Sequence, residues 1–269
     1  MNTTHIEIPK SIYKYYSPNG IEKTILDNTI KWTVPCEEND PFEALASGWD
    51  EAVVKRAIEN SQAKEDILNA LFKNREIQAR VSLITAFVSF AKREDNLLMW
   101  SHYGEKHTGA CLEFDTYCLR KEIDELKKVD YAQAIGSKRK EVPLPLEDQD
   151  DTSPEYQERV RKFLSFKAKE WEYEEEWRFI VPPMASCIKP KVVDNKIILV
   201  SDIPQGAITK LIFGYNVPVS TRLAWAKQIR VKHRDCKFAE IVPKRTTYEL
   251  DVVGLDMDVI ENPSYQSPI

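Results

Sequence analysis

Residues Trp171–Phe179 read Trp-Glu-Tyr-Glu-Glu-Glu-Trp-Arg-Phe. The alternation predicts a strand with Tyr173, Glu175, Trp177 and Phe179 on one face and Glu174, Glu176 and Arg178 on the other. The first face is apolar enough for a core. The second is a carboxylate–carboxylate–guanidinium row whose members stand about 7 Å apart along the strand. Acids are disfavoured in strands, so three in a row need a reason. Two carboxylates this close raise each other's pKa, and an arginine lowers both. A ladder of solvated cross-strand ion pairs gives the same pattern and contributes little.

Outward from this stretch, the chain becomes strand-rich towards its end. Ile197–Val200, Ile208–Phe213 and Phe238–Val242 read as strands, with a helix over Ser220–Val231. Tyr156–Trp171 reads as a helix, and residues 138–158, with three prolines and the acids of LEDQDD, as an exposed loop. Upstream, Gly109–Asp115 and Val81–Phe90 read as strands, the latter central. Two helical stretches precede it, one with Val53, Val54, Ala57 and Ile58 on a face, the other with Ile67, Leu68, Leu71 and Phe72. The N-terminus opens with a strand over Ile12–Tyr16 and a turn at Ser17–Gly20. A short helix bearing Ile21, Ile25 and Leu26 stops at Asn28, and Ile30, Trp32 and Val34 alternate as a half-buried strand. Helices early and strands late predict an α+β domain over residues 1–261. Its sheet is mixed, mostly antiparallel and split, with helices inserted in the N-terminal half; residues 262–269 form a flexible tail.

Composition removes several function classes. The 269 residues hold 8 glycines, no two closer than five positions, so no GxGxxG turn is possible. Gly104 to Gly109 has the spacing of a phosphate loop, but Ala110 and Cys111 stand where Lys and Ser/Thr belong. A nucleotide, if bound, is not held on a glycine-rich loop. The net charge of −5 identifies no partner. Five cysteines without a CxxC read as reduced thiols, and no signal peptide or 18-residue apolar run is evident, so the expectation is a cytoplasmic protein without a membrane span.

Two further constellations accompany the Glu-x-Glu stretch. Asn39-Asp40-Pro41-Phe42-Glu43 follows the Ile30–Val34 strand; the proline biases Asp40 away from helix, so it either caps the next segment or faces a cleft. Met99-Trp100-Ser101-His102-Tyr103 sets Trp, His and Tyr side by side, a surface for stacking a planar ring or a packed structural histidine. His102 and His107 are five apart, the wrong spacing for a helical zinc pair, so no metal is expected.

In this order the motifs resemble a bacterial family of unknown function. Its hallmarks match Tyr13-Lys14-Tyr15, Asn39–Glu43, Met99–Tyr103 and Trp171–Arg178. More distantly, the succession strand, helix, Ile-Leu-x-Asn, strand, with a later Glu-x-Glu, is similar to ADP-ribosyltransferases. That fold binds NAD between two sheets without a glycine-rich loop. The resemblance implies NAD as co-substrate and transfer of ADP-ribose to a macromolecular acceptor, nucleic acid or protein. It further implies a toxin or phage-defence effector that an inhibitor protein could silence. No His or Arg lies between residues 6 and 55, so Lys14 or Tyr15 would take the first-strand position, Ser89 or Tyr103 the middle one and Glu176 the third. Glu176 would hold the ribose and stabilise an oxocarbenium-like centre. Glu174 would act on the acceptor. Tyr15 or Tyr103 would stack on nicotinamide, and Lys14 or Arg178 would contact the pyrophosphate. Asn39, Asp40 and His102 complete the expected cofactor-binding set.

Other readings stay open. Asp115 with Glu125-Leu126-Lys127 loosely matches a metal-dependent nuclease or hydrolase, although Arg120–Lys128 also reads as an exposed helix. The Trp100–Tyr103 surface alone would suit a non-catalytic binding module. Residues 222–245 carry a local charge of +6, able to meet nucleic acid, and the tail from Thr246 a compensating −5.

Overall fold

The computed structural model describes residues 7–37, 85–121, 123, 126–131, 153–182 and 185–262. Five strands form the main sheet: β1 (Ser11–Tyr16), β4 (Ala110–Asp115), β11 (Ile208–Phe213), β12 (Lys237–Pro243) and β13 (Leu250–Leu255), in that spatial order. All neighbours are antiparallel except β11 and β12. A second sheet orders β2 (Thr29–Trp32), β10 (Lys196–Asp202) and β9 (Lys189–Val193). A third orders β3 (Ala86–Phe90), β8 (Trp177–Val181) and β5 (Leu126–Lys128). The two-residue strands β6 (Asp130–Tyr131) and β7 (Phe166–Lys167) pair in parallel. The result is an α+β fold with a mixed, mostly antiparallel arrangement.

The main sheet is covered on both faces, which follows from period-two packing. Ile12, Leu112, Phe114, Leu211 and Phe213 join the largest apolar cluster, while Tyr15, Cys111, Ile212 and Ala239 join a second on the opposite side. Helix α1 (Pro18–Asp27) seals part of the first face through Ile21 and Ile25. Its N-terminus is the predicted turn itself: Ser17 Oγ accepts from Gly20 N and Pro18 begins the helix, so Ser17–Gly20 is a helix start rather than a separate turn. Asn28 ends it in the left-handed region, φ 54°, as the sequence predicts. Helix α5 (Val219–Arg230) lies within a residue of its expected bounds.

Chain crossings near residue 109 account for two of the few glycines. A Cβ on Gly109 would stand 1.9 Å from the Tyr16 carbonyl oxygen, and one on Gly214 2.1 Å from that of His107. Just before Gly109, Glu105, Lys106 and His107 all adopt positive φ, a left-handed turn that tucks the His107 ring between Trp100 and Tyr215.

Three regions depart from expectation. Trp171–Glu174 is not strand: Lys169–Glu174 is a 3₁₀ turn, Glu175 is left-handed at φ 43°, and β8 begins only at Trp177. Asn96 Nδ2 takes the Tyr173 carbonyl at 2.5 Å, and the turn spares Glu174, Glu175 and Glu176 a like-charged extended row. Residues 154–158 belong to helix α4 (Pro154–Phe163), capped by Ser153, which ends eight residues before Trp171. Arg120–Lys128 is not the expected exposed helix: Arg120 ends α3 (Thr116–Arg120), and Leu126–Lys128 form β5, paired with β8. The expected helices over 53–58 and 67–72, the first residues of the Val81–Phe90 strand, the loop over 138–152 and the tail 263–269 lie outside the described residues.

Buried histidines give the fold a pH dependence. His233 lies in the core with Nε2 2.8 Å from Asn28 Oδ1; among the described residues its Nδ1 and the enclosed His107 Nδ1 find no hydrogen-bond partner. Burial lowers the pKa of both. The unfolded chain then binds more protons than the folded one below about pH 6.5, so stability is lost as pH falls through that region. We expect the urea midpoint to drop between pH 7.5 and 5.5, with a slope approaching about 1.4 kcal/mol per pH unit for each histidine. Glu174, raised by burial, acts in the opposite sense. The His233→Gln variant should therefore have a shallower slope than the parent; an equal slope would contradict the assignment.

Candidate active site

The cleft originates at one edge of β3. At its start Phe87 exchanges backbone hydrogen bonds with Thr33, just beyond β2; past its end Ala91 exchanges them with Tyr13 on β1. Between these bridges β1 and β2 diverge, leaving the same edge open at Ser89. Lys14 Nζ donates to the Ser89 carbonyl at 2.9 Å and fills part of the gap. The resulting cleft measures about 370 Å³, within the range of ligand sites. Lys14, Tyr15 and Ser89 line one side, Lys31, Thr33 and Glu37 another, and Tyr103, Lys167, Glu174 and Glu176 the floor.

The floor is a buried charge cluster. Lys167 Nζ lies 2.5 Å from Glu174 Oε2 and 3.2 Å from Glu176 Oε2. Arg178 grips Glu176 with a fork, Nε to Oε1 at 2.6 Å and Nη2 to Oε2 at 2.9 Å, and gives Nη1 to the Leu164 carbonyl at 2.6 Å. Tyr103 OH donates to Glu174 Oε1 at 2.7 Å. The Glu176 amide donates to Tyr131 OH at 2.8 Å, tying the start of β8 to β6. The Ser89 hydroxyl lies beside the Glu176 carboxylate and favours its charged form, without the alignment of a full hydrogen bond.

The two carboxylates differ in character. Burial alone would raise Glu176, but the Arg178 guanidinium, followed by the Lys167 ammonium, pulls it down to about 2. Glu174 is raised: burial and the Glu176 charge outweigh Lys167 and Tyr103. Burial and Glu174 raise Tyr103, so its phenol stays a donor. One carboxylate is thus a fixed anion and the other is able to exchange a proton, the division of labour that acid–base chemistry at a glycosidic bond requires.

Six of the ten expected site residues therefore meet in one cleft: Lys14, Tyr15, Ser89, Tyr103, Glu174 and Glu176. Tyr15 contributes little free ring surface, since its hydroxyl donates to the Arg93 carbonyl at 2.7 Å and its ring packs edge-on against Trp100. Arg178 does not reach the cleft. Helix α4 covers that face of β8, the guanidinium is fully buried 4.6 Å from the Phe87 ring centroid, and its role is to hold Glu176. His102, at the end of α2 (Leu97–His102), is exposed beside the cleft, 3.2 Å from the Tyr173 hydroxyl. Asn39 and Asp40 lie outside the described residues. Lys167, Lys31 and Tyr131 were not foreseen. Lys167 carries no signal in Phe-Lys-Ala-Lys, where Lys169 and Glu170 make it one charge among several; the pairing of β7 with β6 sets its place.

The competing constellations are otherwise engaged. Asp115 accepts from Cys118 N as the N-cap of α3, and Lys127 pairs with Glu158 at 3.1 Å; Glu125 lies outside the described residues. Among the described residues no group of three His, Cys, Asp or Glu is placed to hold a metal ion. The acidic stretch from Thr246 contributes β13, and Lys244 at the β12–β13 turn pairs with Glu249 at 2.8 Å and Asp251 at 3.4 Å. The basic stretch is thus partly neutralised by the chain itself. No helix among the described residues is long and apolar enough to cross a membrane.

The fold and the cleft define an α+β protein with a paired-carboxylate site set between sheets. Residues 99–179 match the model of a family described as "Protein of unknown function (DUF2971)". The match runs from Met99 to Phe179, so it takes in the Met99–Tyr103 and Trp171–Arg178 motifs and leaves Tyr13–Tyr15 and Asn39–Glu43 outside. No curated protein and no solved structure matches the chain.

Proposed function

We propose that the cleft binds NAD and transfers ADP-ribose to a macromolecular acceptor. The observation that carries this reading is the convergence of Glu176, Glu174, Tyr103, Ser89 and Lys14 on one cleft at a sheet split, from four separate chain segments. Glu176, kept ionised by the Arg178 fork, stabilises the positive charge that develops on the ribose as the nicotinamide bond breaks. Glu174 accepts the proton of the incoming nucleophile. Lys14, at the cleft wall, offers a charge to the pyrophosphate in place of Arg178. Tyr103, its hydroxyl fixed on Glu174, would supply the aromatic ring against which the nicotinamide packs.

The acceptor is protein or nucleic acid, and by the same resemblance the activity is that of a toxin or phage-defence effector working in the cytoplasm. Incubating the folded chain with NAD and a cell lysate as acceptor source should release nicotinamide and label a macromolecule with ADP-ribose. A folded preparation that releases none would overturn the reading; release that stops with chelator alone would favour a metal-dependent hydrolase.

A further inference from the structure

We propose that Lys167 is the positioning residue of this cleft: its ammonium, wedged between the two carboxylates, governs the ionisation of Glu174, while at Glu176 it is secondary to the Arg178 fork. The proposal rests on the floor of the cleft being the working site, but the contact itself involves no NAD.

The argument begins with how the lysine is held. Its backbone lies on β7, paired in parallel with β6 at Tyr131↔Lys167. Asp130 N donates to the Ser165 carbonyl at 2.7 Å, and Ser165 Oγ donates back to the Arg161 carbonyl at 2.7 Å, so β7 is anchored to the end of α4. The stem runs inward, and the ammonium lies 4.9 Å from the Trp171 ring centroid with its side chain 4% exposed. A buried ammonium with three donors is expensive unless those donors are met by acceptors, and two here go to the carboxylates.

The partners are unequally supplied. Glu176 has both oxygens on the Arg178 fork and takes Lys167 as an additional contact. Glu174 has Tyr103, a neutral donor, and Lys167 as its cation among the described residues. The titratable groups around this point are Tyr103 from the end of α2, Tyr131 from β6, Tyr173 and Glu174 from the 3₁₀ turn, and Glu176 and Arg178 from β8. Arg178 faces away into the layer under α4. Removing the Lys167 charge therefore leaves Glu176 paired and strands Glu174 beside an anion. Its proton would then be retained to higher pH, and it would be a poorer acceptor for a nucleophile's proton.

The test is a ¹³C-carboxyl NMR titration of the full chain labelled at glutamate, with the Glu174 signal assigned through Glu174→Gln. Lys167→Met should move the Glu174 midpoint up by about one pH unit or more, a tenfold change in its acid constant, while Glu176 stays acidic. Lys167→Arg should restore the midpoint to within a few tenths of a unit. Should the methionine variant fail to fold, Lys167→Gln carries the same expectation, because it keeps a donor and loses the charge. An unmoved Glu174 midpoint in a folded neutral variant, or an equal shift of Glu176, overturns the proposal. Where ADP-ribose is transferred, the acidic limb of the acceptor-labelling profile should move with the midpoint; a uniform fall in labelling at every pH marks a merely structural role and overturns it. A shifted midpoint in a protein that never cleaves NAD supports Lys167 and overturns the transferase reading. Cleavage with an unmoved midpoint does the reverse.

Discussion

If the cleft cleaves NAD as proposed, replacing Glu176 by Gln should lower the rate of nicotinamide release by about 10²–10³, the scale on which a single group stabilising transition-state charge is felt. The side chain keeps its shape, so what is lost is the negative charge held toward the ribose, together with part of the Arg178 pairing. Glu174→Gln separates from it. In the proposed reaction that carboxylate serves the acceptor, so its loss should abolish labelling of the macromolecule while nicotinamide release to water stays within roughly tenfold of the parent. Single-turnover release and acceptor labelling, measured on the same folded samples, distinguish the two roles. Equal losses of both readouts in both variants would mean that the carboxylates act as one unit and that the assignment of separate roles is wrong. A Glu176→Gln protein with undiminished release would remove the catalytic reading altogether.

Much of this cleft is legible in the sequence, and the rest depends on packing between elements that periodicity does not describe. Strands whose apolar residues alternate were readable: Ile12–Tyr16, Gly109–Asp115 and Ile208–Phe213 all form strands of the main sheet. The end of α1 was readable too, because Asn28 tolerates the left-handed region that stops a helix. The Glu-x-Glu-x-Arg row was found for a partly wrong reason. Alternation put Glu174 and Glu176 on one strand face, whereas Glu174 reaches the same place from a 3₁₀ turn, after a left-handed Glu175. The burial of Arg178 was invisible, because it depends on α4 packing across β3 and β8 through Tyr156, Val160 and Phe163. Sequence periodicity describes one element's faces and says nothing of which other element covers them. Lys167 was missed for the same reason: a lysine reads as solvated unless its counter-charges are known, and these stand seven and nine residues away across a turn.

The second large effect is on stability and isolates the Arg178–Glu176 pair. Arg178 is fully buried, and its fork, its bond to Leu164 and its contact with Phe87 leave it no route to water. Arg178→Met fills much of the volume but leaves Glu176 anionic in the interior with Lys167 as its remaining cation among the described residues, one that Glu174 also claims. Breaking one side of a buried pair in this way costs about 3–5 kcal/mol. For a chain of this size that corresponds to a fall in melting temperature of roughly 10 °C or more. The cost comes from the stranded carboxylate rather than from any large stabilisation by the pair itself, so removing both charges should recover much of it. The Arg178→Met/Glu176→Leu double variant is therefore expected to be more stable than Arg178→Met alone, although it carries two core substitutions. Lys167 then has Glu174 as its remaining anion, which keeps the floor neutral. Urea unfolding of the four proteins of this cycle, compared at constant m-value, gives the coupling directly. If the double variant loses the sum of the two single losses, the buried pair is not coupled, and the fixed anion on which the chemistry of the cleft depends has no physical basis.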